Sequence, residues 1–250
     1  MGLVSVTRVG LKARLMSFKN LCSFFGASLV LPLALFAQPV FAQDTGVVYT
    51  GGSAGDGVNA YTGGVVALPG AELGKGLAVR AGVSGGQYRY ESNDQRISAD
   101  YIGAEVALVY QMSGRWGWVN VSAGPRVTDT TLKPVDIGNR MRGTRFDLAM
   151  QTDGTVGNEW RASWFASYAV NDRSYITQLR LNRLVDGETD TRLGIEGGVQ
   201  GDRSYTRPSV GIYASTRLSG KWQGLIAAGA SKQKDRSAKP YVTLGVSHVF

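Results

Sequence analysis

From Tyr241 to Phe250 the sequence alternates. Val242, Leu244, Val246, His248 and Phe250 fall on one face of an extended strand, and Tyr241, Thr243, Gly245, Ser247 and Val249 fall on the other. The first set is mostly large and apolar; the second is mostly small or polar. About ten residues is the length a tilted strand needs to cross the hydrocarbon of a bilayer. An alternating run that ends on Phe is what the closing strand of a bacterial outer-membrane β-barrel looks like. The competing expectation from this stretch alone is an edge strand of a soluble sandwich.

The rest of the sequence decides between them, because the same alternation recurs. Twelve strands are expected, beginning with Thr45 to Gly52 and Val58 to Leu68 and ending with the closing strand. In the third, Leu77, Val79, Ala81 and Val83 oppose Arg80, Gly82 and Ser84. Gly85-Gly86 is expected to mark a bulge there, since the aromatics Tyr88 and Tyr90 change parity. In the fourth, Ile102, Ala104, Val106, Leu108 and Tyr110 oppose Tyr101, Gly103, Glu105 and Gln111. Later strands set Arg126, then Arg145 and Asp147, then Arg161, then Arg180, then Arg192 and Glu196, and last Arg217, against apolar faces. A sandwich would carry Lys-rich solvent faces. Here the mid-strand charges are arginines and acids, as expected where they pair within a lumen. Closure also removes the sheet edges. The fold class expected is therefore all-β, an antiparallel transmembrane barrel of about 12 strands.

The connections fit an even strand number with both termini on one side. Ser113-Gly114, Gly157-Asn158 and Ser219-Gly220 are short turns, while longer charged loops fall on the other side. Asn171-Asp172-Arg173 and the Val185 to Arg192 region break that pattern. Trp116, Trp222, Tyr110 and Phe250 read as one interfacial girdle; Tyr88, Tyr90, Tyr168, Tyr175 and Tyr205 read as the opposite one.

The N-terminus has the form of a secretory signal peptide. Arg8, Lys12, Arg14 and Lys19 precede an apolar run from Leu21 to Phe36, and cleavage is expected after Ala42. Residues 43–250 then form one barrel domain. The leader carries 4 of the 27 Lys and Arg residues and no acid, so the remainder holds 23 basic residues against 19 acids. The one cysteine, Cys22, also leaves, which excludes a disulfide framework. No run beyond residue 42 has the length and apolarity of a spanning helix.

Arg80, Glu105, Arg126, Arg145, Asp147, Arg161, Arg180, Arg192, Glu196 and Arg217 are the candidate lumen-lining residues. They form either a polar conduit or a plug of salt bridges, and structural pairing is the favoured reading for any one of them. Their excess of arginine over acid favours anionic solutes if the lumen conducts. Tyr101, Trp118 and Tyr213 are candidate inward aromatics for stacking on sugar rings. The basic stretch Lys232 to Lys239 could touch lipopolysaccharide phosphate or acidic polysaccharide, or be a solvated loop. Catalysis has little support: the single histidine, His248, falls on the expected lipid face with no serine or acid placed beside it. No metal or cofactor site is expected, and no nucleic-acid partner.

Four segments, in this order, carry a resemblance to a known family: Val48-Tyr49-Thr50-Gly51-Gly52, Glu105-Val106-Ala107-Leu108-Val109-Tyr110-Gln111, Gly124-Pro125 before a long loop, and the strand to Phe250. Over most of the sequence beyond residue 42 the pattern resembles the cellulose biosynthesis protein BcsS family of Gram-negative bacteria. The resemblance implies a non-enzymatic accessory barrel of the outer membrane, acting in synthesis or export of cellulose or a related exopolysaccharide. Its expected partners are outer-membrane lipid, the barrel assembly machinery that reads the strand ending at Phe250, and cellulose or components of its synthase complex. A porin-like channel for small solutes is the alternative, and a lipid-modifying barrel enzyme the more distant one.

Overall fold

The computed structural model describes residues 44–250 except 93, 94, 204, 234 and 235. The expected signal peptide lies outside the described residues. The described elements are twelve strands: β1 (Gly46–Ala54), β2 (Val58–Ala67), β3 (Gly76–Ser92), β4 (Gln95–Gly114), β5 (Gly117–Lys133), β6 (Gly143–Val156), β7 (Trp160–Ala169), β8 (Ser174–Asp186), β9 (Thr191–Gly201), β10 (Thr206–Ser219), β11 (Trp222–Ser231) and β12 (Lys239–Val249). Each pairs antiparallel with its neighbours in sequence, and β1 pairs with β12, so the sheet is a closed barrel. At the seam the amides of Thr45 and Gly46 donate to the Phe250 carbonyl at 2.8 and 3.1 Å, and the Phe250 amide donates to Gly46 at 2.9 Å. With no unpaired edge there is nothing for another strand to extend.

The barrel is inside-out relative to a water-soluble protein. Phe146 is 76% exposed and Ile212 is 67% exposed on the outer face, whereas Arg80 and Glu196, facing in, are 4% and 3% exposed. Each large apolar side chain left in water would forgo roughly 1.5–3 kcal/mol of transfer free energy. The many on this wall are matched to hydrocarbon instead. Gly85 and Gly86 pair in unbroken register with both β2 and β4, so the expected bulge is absent. Tyr88 and Tyr90 therefore share the inward parity of Arg80. The register shifts instead between Leu184 and Asp186 in β8 and between Arg217 and Ser219 in β10, both at the rim that carries the termini.

The two rims differ. Turns 115–116, 157–159 and 220–221 on the termini side are tight, and loop 134–142 is the longest connection on the other. The wall is uneven too: β3, β4 and β5 run 17, 20 and 17 residues, against 9 for β1. Their extra length projects beyond the opposite rim. Two small apolar clusters fill the inner face at the two ends. Val65, Ala78 and Val109 pack with Val47 and Tyr49 on the termini side. Ile97, Ala99 and Leu132 pack with Tyr88 and Tyr90 on the projecting wall.

Candidate functional site

The inward faces of β3 to β7 carry one continuous polar network. The Arg80 guanidinium reaches Ser122 Oγ at 3.2 Å and Gln151 Oε1 at 2.5 Å, and it is ion-paired with Asp153. Asn120 donates to the second Asp153 oxygen at 2.9 Å and accepts from Gln111 at 3.2 Å. Gln111 in turn accepts the Gly74 amide at 3.2 Å, which ties the β2–β3 turn against the base of the interior. On the other side Gln151 donates to Glu105 at 2.7 Å. Arg126 grips the remaining Glu105 oxygen through Nε at 3.0 Å and Nη2 at 2.7 Å, and extends to Ser167 at 3.1 Å. A charge removed from water must be paired and hydrogen-bonded to be tolerated, and here every carboxylate has both.

A second network lies on β7 to β10, with Tyr241 of β12 reaching it. Glu196 accepts from Arg180 Nε at 2.9 Å, Gln178 at 3.2 Å and the Tyr241 hydroxyl at 2.7 Å. The Arg180 guanidinium also sits 5.1 Å from the centre of the Tyr213 ring. Asn182 donates to the Tyr213 hydroxyl and accepts from Arg192 at 3.4 Å. Asp190 collects Arg192 at 2.9 Å and Arg161 at 3.6 Å. It does so from a left-handed backbone conformation, φ 47°, that Asp tolerates better than most residues.

At the opposite mouth, loop 134–142 is clasped to the projecting wall. The Tyr90 hydroxyl donates to Asp136 at 2.9 Å and accepts from Asn139 at 2.7 Å. This hydrogen bond holds the Asp136 carboxyl below its ordinary pKa. Arg145 binds the Arg140 carbonyl and pairs with Asp172, while Asp147 accepts the amides of Asn171 and Asp172 at 2.8 and 2.9 Å.

The remaining wall is built differently. Its inward positions include the cross-strand glycine pairs Gly51–Gly245 and Gly211–Gly229. Tyrosines lie down over them. A Cβ on Gly51 would meet the Tyr61 hydroxyl at 2.6 Å, and one on Gly245 would meet it at 3.8 Å, so Tyr61 on β2 runs across β1 toward β12. The Tyr241 hydroxyl likewise covers Gly229 and Gly211, at 2.7 and 2.5 Å from where their Cβ atoms would be. An aromatic ring shielding a glycine of the neighbouring strand compensates for the missing side chain.

Of the residues singled out from sequence, Glu105, Arg126 and Arg80 come together in one network, and Arg180, Glu196, Arg192 and Arg161 in the other. Arg145 and Asp147 stand at the opposite mouth. Arg217 does not join them: it is exposed at the termini-side mouth, beside the β10 bulge. The expected excess of arginine over acid is corrected as well, because Asp153, Asp172 and Asp190 supply the missing partners. Asp153 was within reach of sequence reasoning, two residues beyond Gln151 on the same face. Asp172 and Asp190 sit in turns, where no periodicity points. The three expected sugar-stacking aromatics are not one group. Tyr213 is buried, with one face taken by Arg180; Trp118 faces in near the termini-side rim; Tyr101 packs 6.3 Å from Tyr88 near the opposite mouth. Tyr88 and Tyr90 line the interior rather than an outer girdle. Trp116, Trp222 and Tyr110 do face outward at the termini side. His248 stacks on Trp222 at 4.4 Å on the outer face. No group of three or more His, Cys, Asp or Glu suited to a metal occurs among the described residues.

The chain is similar in fold to solved outer-membrane proteins at low identity. An outer-membrane channel from Pseudomonas putida F1 is 16% identical, with a TM-score of 0.46 over 86% of this chain and 97% of that one. The translocator domain of the autotransporter NalP from Neisseria meningitidis is 12% identical, with a TM-score of 0.49 over 84% and 90%. The KdgM porin, solved with disordered oligogalacturonate, is 10% identical, with a TM-score of 0.46 over 82% and 99%. No curated relative matches the sequence. The family model for cellulose biosynthesis protein BcsS matches residues 47–250, the whole of the barrel but its first strand residue. The chain belongs to the cellulose biosynthesis protein BcsS family.

Proposed function

We propose that this barrel is a non-enzymatic accessory of cellulose synthesis and export, seated in the outer membrane of a Gram-negative bacterium. It is delivered there by a leader cleaved after Ala42. The observation that carries the reading is the state of the interior. Inward charges that would face water in an open pore are buried or part-buried and joined across several strands, from Gly74 through Arg80 to Ser167 and from Asp190 through Arg192 to Tyr213. Such an interior suits a barrel that organises or holds a polysaccharide, or docks synthase components, better than one that lets solutes diffuse. Outer-membrane lipid covers its apolar wall, and the strand ending at Phe250 is what the assembly machinery reads.

Two measurements test this. Deletion of the gene should reduce extracellular cellulose, and the wild-type copy should restore it. The protein should also fractionate with the outer membrane and migrate differently on gels when boiled and unboiled. Unchanged cellulose output in the deletion strain would refute the assignment to cellulose. A soluble periplasmic protein without heat-modifiable migration would refute the membrane placement.

A further inference from the structure

We infer that the glycine-paved wall, reached from the opposite mouth, is a binding site for an uncharged, extended saccharide chain. The inference rests on the reading above and names the ligand class of the interior. Three features of the wall carry it.

The first is the exposure of Tyr61. It faces inward by register with Val65 and Gly63, yet it is 41% exposed. An inward side chain that open requires unfilled space beside it, in contrast to the closed packing around Arg80. Its ring lies along the wall over Gly51 and reaches Gly245, so it does not stand across the interior. A tyrosine laid flat by the absence of side chains beneath it turns a face to the space above, the geometry in which an aromatic receives the apolar C–H face of a sugar.

The second is what surrounds that face. One layer toward the mouth, Asn59, Ser53 and Thr243 are cross-strand partners on the inward parity. They are short, uncharged side chains with donor and acceptor capacity for hydroxyl groups. Tyr241, the next ring laid over a glycine pair, starts four residues along β12 from Gly245, roughly 13 Å along the strand, and extends from there over β11 and β10, away from Tyr61. That spacing exceeds one sugar ring and suits a chain.

The third is charge. Arg80, Arg126, Arg145, Arg161, Arg180, Arg192 and Arg207 are each paired with a carboxylate. An anionic saccharide would find these cations already neutralised. A neutral one needs none.

The experiment is calorimetric titration of the folded full-length barrel in detergent. The probes are a soluble cello-oligosaccharide, a malto-oligosaccharide of equal length and oligogalacturonate. Heat-modifiable migration verifies folding of every variant. The cello-oligosaccharide should bind, Tyr61→Ala should weaken it about tenfold, and Tyr61→Phe should retain it, because stacking needs the ring and not the hydroxyl. Oligogalacturonate should bind more weakly than either neutral chain. Absence of binding by the folded wild type, equal binding by Tyr61→Ala, or tighter binding of oligogalacturonate would each overturn the inference. Cellulose output is scored separately. Lost output in the deletion strain without binding here would leave the proposed function standing and remove only the saccharide site.

Discussion

Two sides of the same interior solve the problem of filling a barrel in opposite ways. On β3 to β7 long charged and amide side chains reach inward and consume one another. Arg80 alone, from β3, contacts Ser122 on β5 and Gln151 and Asp153 on β6. On the wall formed by β10 to β12, β1 and β2, glycines hold the surface back and tyrosines lie along it. The first arrangement makes a rigid partition, because each buried polar group depends on the next. The second leaves space with a defined aromatic surface. A barrel that only needed to be full could have used the first device all the way round.

The largest expected effect comes from breaking the networked side. Arg80→Met leaves Asp153 inside with Asn120 as its remaining partner, and removing one member of a buried pair costs roughly 3–5 kcal/mol. The temperature at which the unboiled gel form is lost should fall clearly. Next in size is the outer face. Leu179→Arg places a charge on the lipid-facing wall, at a cost of about 2–4 kcal/mol near mid-depth, and should lower the yield of folded barrel in lipid vesicles. The glycine side should yield less. Gly229→Ala drives a Cβ to 2.3 Å from the Val210 carbonyl oxygen and 2.7 Å from the Tyr241 hydroxyl, an overpacking cost of about 1–3 kcal/mol. Gly197→Ala meets nothing nearer than 3.9 Å and should shift stability by less than about 0.5 kcal/mol when both variants are unfolded in urea. Equal effects at the two glycines would erase the distinction between paved and unpaved positions.

The smallest effect is at the loop clasp. The Asp136 pKa is depressed in the folded protein, first by the Tyr90 hydrogen bond. The clasp is therefore fully formed above the ordinary carboxylate value of about 3.9. It is lost as pH falls through the lower folded value. Limited proteolysis of loop 134–142 should accelerate only in that acidic window, and Asp136→Asn should remove the pH dependence.

The fold was legible because alternation is a local property. Strand count, faces and closure follow from residues such as Ile102 to Tyr110 and Val242 to Phe250, whose two sides differ in chemistry. The misread stretch, Gly85 to Tyr90, has its cause in the extra length of β3. Beyond the rim, tyrosines can face inward because loop 134–142 and the long neighbouring strands cover them, and nothing in β3 itself announces that cover. The lumen charges were legible as a set but not as pairs. Arg80 meets Asp153 across more than seventy positions of sequence, and Asp190 serves Arg161 and Arg192 from a turn. The tyrosine wall was missed because its signal is a glycine on one strand and an aromatic on another, joined only by register.

If the polar network around Arg80, Glu105 and Arg126 closes its side of the interior, the barrel is open to the mouth only along the glycine wall. Conductance of the purified barrel in planar lipid bilayers tests it most directly. The wild type should show no steady ion current, and a variant with Arg80, Glu105 and Arg126 all replaced by alanine should open stepwise channels. A stable, porin-sized conductance in the wild type, unchanged in that variant, would show that the polar network does not close the interior.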